Sequence, residues 1–308
     1  MTDSGPPPVR MHEDEVDTGP DLVCRLLDAQ FPKWANLPLR PVSSAGTDNA
    51  IYRLGDALTV RLPRIGWATA QVEKEHHWLP LLAPHLPLPI SEPLAQGEPG
   101  EGYPYPWAVH RWLEGENLNA DSLSDPVQAA RDLARFVLAL RRSPTVPESP
   151  KAGRGEPLVT RDAGVREAIA TITALGELLD GRAALSAWET ALAAPEWTSA
   201  PVWVHGDLLP GNLLFQAGRL SAVIDFGGLG VGDPACDLMP AWSLFSGESR
   251  EVFHTALAAD EEIWERGRGH ALAQALMFIP YYLHTNPVGV RNAWRVVGEV
   301  LADRERCS

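Results

Sequence analysis

Cysteine is scarce in this chain of 308 residues: there are three, Cys24, Cys236 and Cys307, with no metal-ligand spacing and no even set to pair. That excludes a disulfide scaffold or a thiolate zinc site and suits a reducing, cytoplasmic compartment. Positive charge is also short, with 26 lysines and arginines against 40 aspartates and glutamates and a net charge of −14. Nucleic-acid binding therefore lacks its electrostatic basis. No apolar run reaches the ~18 residues of a membrane span, since the stretch from Ala271 to Leu283 is interrupted by Gln274 and Pro280. The N-terminus, MTDSGPPPVRMHEDEVDTG, is proline-rich and acidic and has no basic-then-apolar leader layout, so residues 1–19 read as a mobile tail. No internal repeat is evident.

What is present is a hydrophobic content of 45%, enough for one large or two modest folded domains. Between Val204 and Gly227 the chain reads VHGDLLPGNLLFQAGRLSAVIDFG. Transfer of a γ-phosphoryl group needs a carboxylate to orient and deprotonate the attacking hydroxyl, and oxygen ligands to hold Mg²⁺ on the phosphates. Asp207 and Asn212 stand five residues apart, with Pro210 and Gly211 to turn the loop between them. Two short apolar runs, 213–215 and 220–224, flank Gln216-Ala217-Gly218-Arg219 and predict a β-hairpin that returns Asp225 to the side of Asn212. Asp207 is then the catalytic carboxylate, with Asn212 and Asp225 sharing the metal. The alternative is that Asp207 is a turn or cap carboxylate and Asn212 a turn residue.

The pattern H-G-D-x-x-x-x-N followed by I-D-F-G, with G-D-P-A-C-D-L at 232–238, resembles the aminoglycoside phosphotransferase family, a branch of the protein-kinase-like fold. The resemblance implies an α+β, two-lobe fold: a small antiparallel β-sheet N-lobe with one main helix over residues 20–110, a hinge at 111–115, and a larger, mainly helical C-lobe over 116–308. It implies ATP or GTP and Mg²⁺ as cofactors. In such an N-lobe the turn from Ser43 to Asn49 covers the phosphates, with Ser44 and Asn49 approaching them, although an ordinary hairpin turn has the same composition. Arg61, on the strand LTVRLP, stands where the kinase pattern has lysine and grips the phosphates as a fork. Its glutamate partner is Glu73 or Glu75, and the resemblance favours Glu75. The backbone from His110 to Trp112 is expected to bond adenine, while the His110 side chain packs or faces solvent.

Around these motifs the periodicity predicts a helix over 20–31, three antiparallel strands between Leu39 and Pro63, a helix over 68–82, a proline- and glycine-rich loop over 87–106, and an amphipathic helix over 125–142. Residues 143–157 read as a polar linker, followed by helices at 165–179, 184–193, 247–257, 260–266, 270–283 and 288–303. His205 is expected to brace its loop, and Asp233 and Asp237 to cap turns. Cys236 is expected to be a buried small hydrophobe.

The reading is a kinase for a small hydroxylated molecule, with no platform for a peptide because no A-P-E element follows Asp-Phe-Gly. An aminoglycoside is the first acceptor class, and Glu248, Glu251, Asp260, Glu261, Glu262 and Glu265 are available to meet its ammonium groups. The negative net charge suits a cationic substrate and serves solubility equally well. Rival readings are a kinase for a macrolide, sugar or amino alcohol, and a nucleotide-binding pseudokinase. The oligomeric state is open.

Overall fold

A computed structural model describes residues 15–42, 48–176 and 179–307. The chain divides into two compact units, one running to Leu81 and resuming over Ser91–Leu113, the other taking Leu82–Ile90 and everything from Glu114.

The first unit begins with α1 (Pro20–Gln30), where proline presets the first helical turn and Leu22, Val23, Leu26 and Leu27 face the core. Strands β1 (Leu39–Pro41), β2 (Asn49–Leu54) and β3 (Leu58–Pro63) are followed by α2 (Thr69–Leu82), β4 (Pro93–Gly97) and β5 (Trp107–Arg111). The five strands form one antiparallel sheet in the order β1-β2-β3-β5-β4. Alternation along β2 buries Ala50, Tyr52 and Leu54 against α1, as a half-covered sheet requires. The stretch 87–106, expected to be loop, instead supplies β4. Pro93 is tolerated there because it opens an edge strand, where a missing N–H costs little. The tail is also shorter than expected: the Val16 amide donates to Arg64 O at 2.9 Å, and Glu15 pairs with Arg64 at 3.2 Å.

The second unit holds α3 (Pro126–Arg142), α4 (Asp162–Ala174), α5 (Gly181–Ala193), short strands β6 (Val202–Val204), β7 (Leu213–Gln216), β8 (Arg219–Val223) and β9 (Gly230–Gly232), and then α6 (Pro240–Ser243), α7 (Gly247–Leu257), α8 (Glu261–Tyr282) and α9 (Pro287–Cys307). Asp125 caps α3 by accepting the Gln128 amide, and the predicted stripe of Ala129, Leu133, Phe136, Val137 and Leu140 is buried. The two helices expected over 260–283 are one. Gly267 and Gly269 do not break α8; they let it lie against Leu238, Ala191 and Leu158. Segment 82–90, expected in the N-lobe, belongs here, its Pro89 carbonyl accepting the Val223 amide at 3.1 Å.

One buried carboxylate fastens the C-terminal helices. Asp303 of α9 accepts from Trp242 of α6 at 3.1 Å, Arg250 of α7 at 3.1 Å and Arg268 of α8 at 3.0 Å. Burial opposes its ionisation, but the hydrogen bonds from Trp242 and Arg268 and the charges of Arg250 and Arg268 outweigh it and hold the carboxyl below the ordinary range. Because the folded-state value is depressed, this stabilisation is complete above the unfolded value of about 4 and is lost as pH falls through the folded one. Asp303→Asn is expected to cost roughly 3 kcal/mol at neutral pH and to flatten the acid limb of the unfolding midpoint, measured by thermal melts between pH 7 and 3.

Candidate active site

The loop after β6 is built around Asp237, whose fully buried carboxylate accepts the His205 amide at 2.8 Å and the Gly206 amide at 2.8 Å. Burial pushes the Asp237 carboxyl up, while the two amide hydrogen bonds and the charge of Arg141 oppose that rise. Gly206 takes φ +76°, and a Cβ there would stand 2.6 Å from Gly228 O, so no side chain fits. His205 Nδ1 accepts the Asp207 amide at 3.2 Å, which leaves Nε2 to donate to Ile224 O at 3.1 Å. Its ring packs on Phe226 with centroids 4.5 Å apart. His205 thus braces the loop from inside and does not face outward to react.

Asp207 projects from this frame with its side chain 25% exposed. Asn212 Nδ2 donates to Asp207 O at 2.8 Å and to Asp207 Oδ2 at 3.1 Å. The loop closes through Leu209 N to Asp207 O at 2.8 Å and Asn212 N to Leu209 O at 2.9 Å. Strands β7 and β8 then pair through a two-residue turn, Ala217 and Gly218, both with positive φ, the geometry that matches strand twist. The return brings the Ile224 amide to Asn212 O at 2.9 Å, so Asp225 follows directly beside the loop. Asp225 is held in the left-handed region at φ 61°, ψ 75°, an uncommon state for a residue with a side chain.

Sequence reasoning missed Arg154. Residues 143–157 are not a free linker: the Val231 amide donates to Pro150 O at 2.7 Å, Ala152 N to Val231 O at 3.1 Å and Asp233 N to Gly155 O at 3.0 Å, which lays the segment along β9. The approach needs glycine on both sides. A Cβ on Gly230 would meet Ala152 N at 2.4 Å, and one on Gly232 would meet Gly155 O at 2.7 Å. From this strap Arg154 Nη1 donates to Gly206 O at 2.9 Å and pairs with Asp207 Oδ1. The only trace in the sequence is a G-x-G at 153–155 facing a G-x-G at 230–232. Beside Gly155 and Gly232 lies a cavity of about 250 Å³ whose lining includes Leu158, Trp197, Asp233 and Arg266. Arg266 and Asp233 pair with each other there at 2.6 Å.

In the first unit, Arg61 of β3 donates to Glu75 of α2 at 2.9 Å, with Glu75 buried, whereas Glu73 is exposed. His110 Nδ1 donates to Ser91 O at 3.0 Å, and its Nε2 lies 3.9 Å from Glu75, so this side chain is a buried packing element. Asn49 opens β2 and lines a small recess with Arg61, Gln71, Glu75 and His110. Ser44, with the rest of 43–47, lies outside the described residues. Over His110 to Trp112, where the backbone is expected to meet adenine, two amides are already engaged. The Arg111 amide is spent on Glu92 O at 3.1 Å and the Trp112 amide on Ala57 O at 2.8 Å, while the Trp112 ring stacks under Arg53 at 4.5 Å. Of the acidic stretch, Asp260 caps α8 through the Ile263 amide at 2.8 Å and Glu265 is paired with Arg268, which leaves Glu248, Glu251, Glu261 and Glu262 exposed.

Asp237→Ala would orphan two buried amides at a cost of about 1–3 kcal/mol each. It is expected to lower the unfolding midpoint and to disorder the loop, read as accelerated amide exchange at His205 and Gly206; protection equal to that of the wild type would refute the clamp.

The sequence model of the phosphotransferase enzyme family matches residues 39–270. Among curated protein sequences no match is found. The GDP and kanamycin complex of APH(2")-IIia superposes with a TM-score of 0.73 at 18% identity, over 91% of this chain and 98% of that one. The streptomycin-ATP-APH(2")-IIa ternary complex gives 0.62 at 19% identity, over 93% and 99%. The macrolide 2'-phosphotransferase MphH from Brachybacterium faecium, as apoenzyme, gives 0.58 at 23% identity, over 90% and 98%. At these identities the likeness establishes the protein-kinase-like fold. Among the described residues no helix is long and apolar enough to cross a membrane.

Proposed function

The chain belongs to the phosphotransferase enzyme family, and from that premise we propose that it transfers the γ-phosphoryl group of ATP or GTP to a hydroxyl of a small molecule, in the cytoplasm. The observation that carries this reading is the Asp207 carboxylate, set at the mouth of a rigid loop, with Asn212 on one oxygen and Arg154 on the other. An acceptor hydroxyl bonded to Asp207 gives up its proton to that carboxylate as its oxygen bonds to phosphorus and the bond from phosphorus to the bridging oxygen breaks. The proton then leaves Asp207 for water. Positioning and charge neutralisation supply the rate, since a hydroxyl held in line needs little covalent help.

The donor set suits magnesium. With Nδ2 of Asn212 committed to Asp207, its carbonyl oxygen and the Asp225 carboxylate are hard oxygen ligands, and a triphosphate adds the rest. Two protein ligands leave most of an octahedral shell to phosphate oxygens and water, so the ion would be held jointly with the nucleotide. Bound there, Mg²⁺ neutralises charge on the phosphate oxygens. In the first unit, the Arg61 fork, steadied by Glu75, is assigned to the α- and β-phosphates.

For the acceptor, an aminoglycoside is the first class to test, because the similar structures include kanamycin and streptomycin complexes and the exposed Glu248, Glu251, Glu261 and Glu262 can meet ammonium groups. A macrolide is the second, in view of the likeness to MphH, with sugars and amino alcohols after it. A pseudokinase would have no use for the Asp207, Asn212 and Asp225 set. Purified protein incubated with nucleotide, Mg²⁺ and a panel of these acceptors is expected to yield a product heavier by one phosphoryl group in mass spectrometry. Asp207→Ala should lower turnover by about 100-fold or more while retaining nucleotide affinity. Unchanged turnover in that variant would sink the mechanism, and nucleotide binding with no product from any acceptor would favour the pseudokinase.

A further inference from the structure

Between His205 and Phe226 the only lysine or arginine is Arg219, and it is committed to Asp132 at 3.0 Å. The loop that carries the base therefore brings no fixed positive charge to the reacting centre. Yet negative charge gathers there during transfer, on the equatorial oxygens of the phosphoryl group, and a positioned cation stabilises it more than any ground-state contact does.

Arg154 is placed to supply that charge. All its hydrogen bonds run through Nη1, to Gly206 O and Asp207 Oδ1. Nη2 and Nε have no hydrogen-bond partner among the described residues, and the side chain is 29% exposed, so three N–H donors remain on an open edge beside the base. The anchoring is rigid, because the strap is laid on β9 through close glycine contacts. The surroundings reinforce the positive field: Arg161 donates to Gly153 O at 3.2 Å at the base of the same turn. Nearby His270 is buried and stays uncharged, its pKa lowered to about 3 by burial and then by Arg161, Arg154 and Arg266.

We infer that Arg154 is a catalytic residue of this reaction: anchored by Nη1 on Gly206 and Asp207, it holds the transferring γ-phosphoryl oxygens with its open edge while the acceptor hydroxyl bonds to Asp207. No bond to Arg154 forms or breaks, and the guanidinium stays protonated throughout. The inference rests on the phosphoryl-transfer reading above. It goes beyond that reading by assigning the γ-phosphate contact to a segment outside the sequence motif.

A residue that merely positions Asp207 and one that touches the γ-phosphoryl group differ in what they do to nucleotide binding. With Mg²⁺ present, binding of ADP and of the non-hydrolysable AMP-PNP (or GDP and GMP-PNP, whichever base the wild type takes) is measured by calorimetry for wild type, Arg154→Ala and Arg154→Lys. The expected result is that Arg154→Ala weakens AMP-PNP by about tenfold and leaves ADP unchanged, with Arg154→Lys recovering part of the loss. Arg154→Gln, which keeps the bulk and two donors, guards against a local collapse; it should bind ADP normally and AMP-PNP weakly. Equal weakening of both nucleotides, or no change in either, overturns the assignment while leaving the kinase reading intact. Wild-type protein that binds neither nucleotide would overturn both.

Discussion

The loop that carries Asp207 depends on one buried carboxylate. Asp237 takes the amides of His205 and Gly206 together, and those two bonds fix the direction in which the chain leaves β6. Everything downstream inherits that direction. The Asp207 amide is turned onto the His205 ring, whose other nitrogen reaches Ile224, and the Ile224 amide in turn holds Asn212 O. Asp207, its amide support and the left-handed Asp225 are therefore positioned by a closed circuit of hydrogen bonds that starts at a group no solvent reaches. Such a circuit is expensive to leave half made, because each buried amide without a partner costs its full desolvation.

Charge is handled in the same fashion on both units. The chain is strongly acidic, and its only lysines are Lys33, Lys74 and Lys151. In the proposed reaction, arginine takes the positions where a cation would face phosphate. Arg61 is held by Glu75, and Arg154 by Asp207. Each guanidinium is thereby oriented before any nucleotide arrives, and its planar fork loses little freedom when it meets an anion. In the proposed reaction these oriented guanidiniums are the groups that would meet a triphosphate in a protein of net charge −14.

Much of this was legible in the chain because the relevant contacts are local. Asp207, Asn212 and Asp225 span nineteen positions, counted from 207 to 225, and the hairpin between them is written in two short apolar runs and a glycine near its tip. The stripe of α3 was equally plain. What escaped was set by contacts distant in sequence. Arg154 meets Asp207 across 53 positions, and its strap is ordered by backbone pairing and glycine approach, which leave no side-chain pattern. The glycines of α8 read as a break, yet they serve close packing. β4 was hidden by prolines that an edge strand tolerates. The partners of the amides at 111 and 112, Glu92 and Ala57, lie on segments whose pairing is likewise a tertiary matter.

With Asp207 supported on both oxygens and the His205 ring spent on bracing the loop, the proposed transfer should occur in a single in-line step from nucleotide to acceptor. The most direct test is the stereochemical course at phosphorus, using a nucleotide made chiral at the γ-position with sulfur and oxygen isotopes and the first acceptor that is turned over. Inversion of configuration is the predicted result. Retention would mean two displacements through a phosphorylated protein group, and would contradict the role given to Asp207.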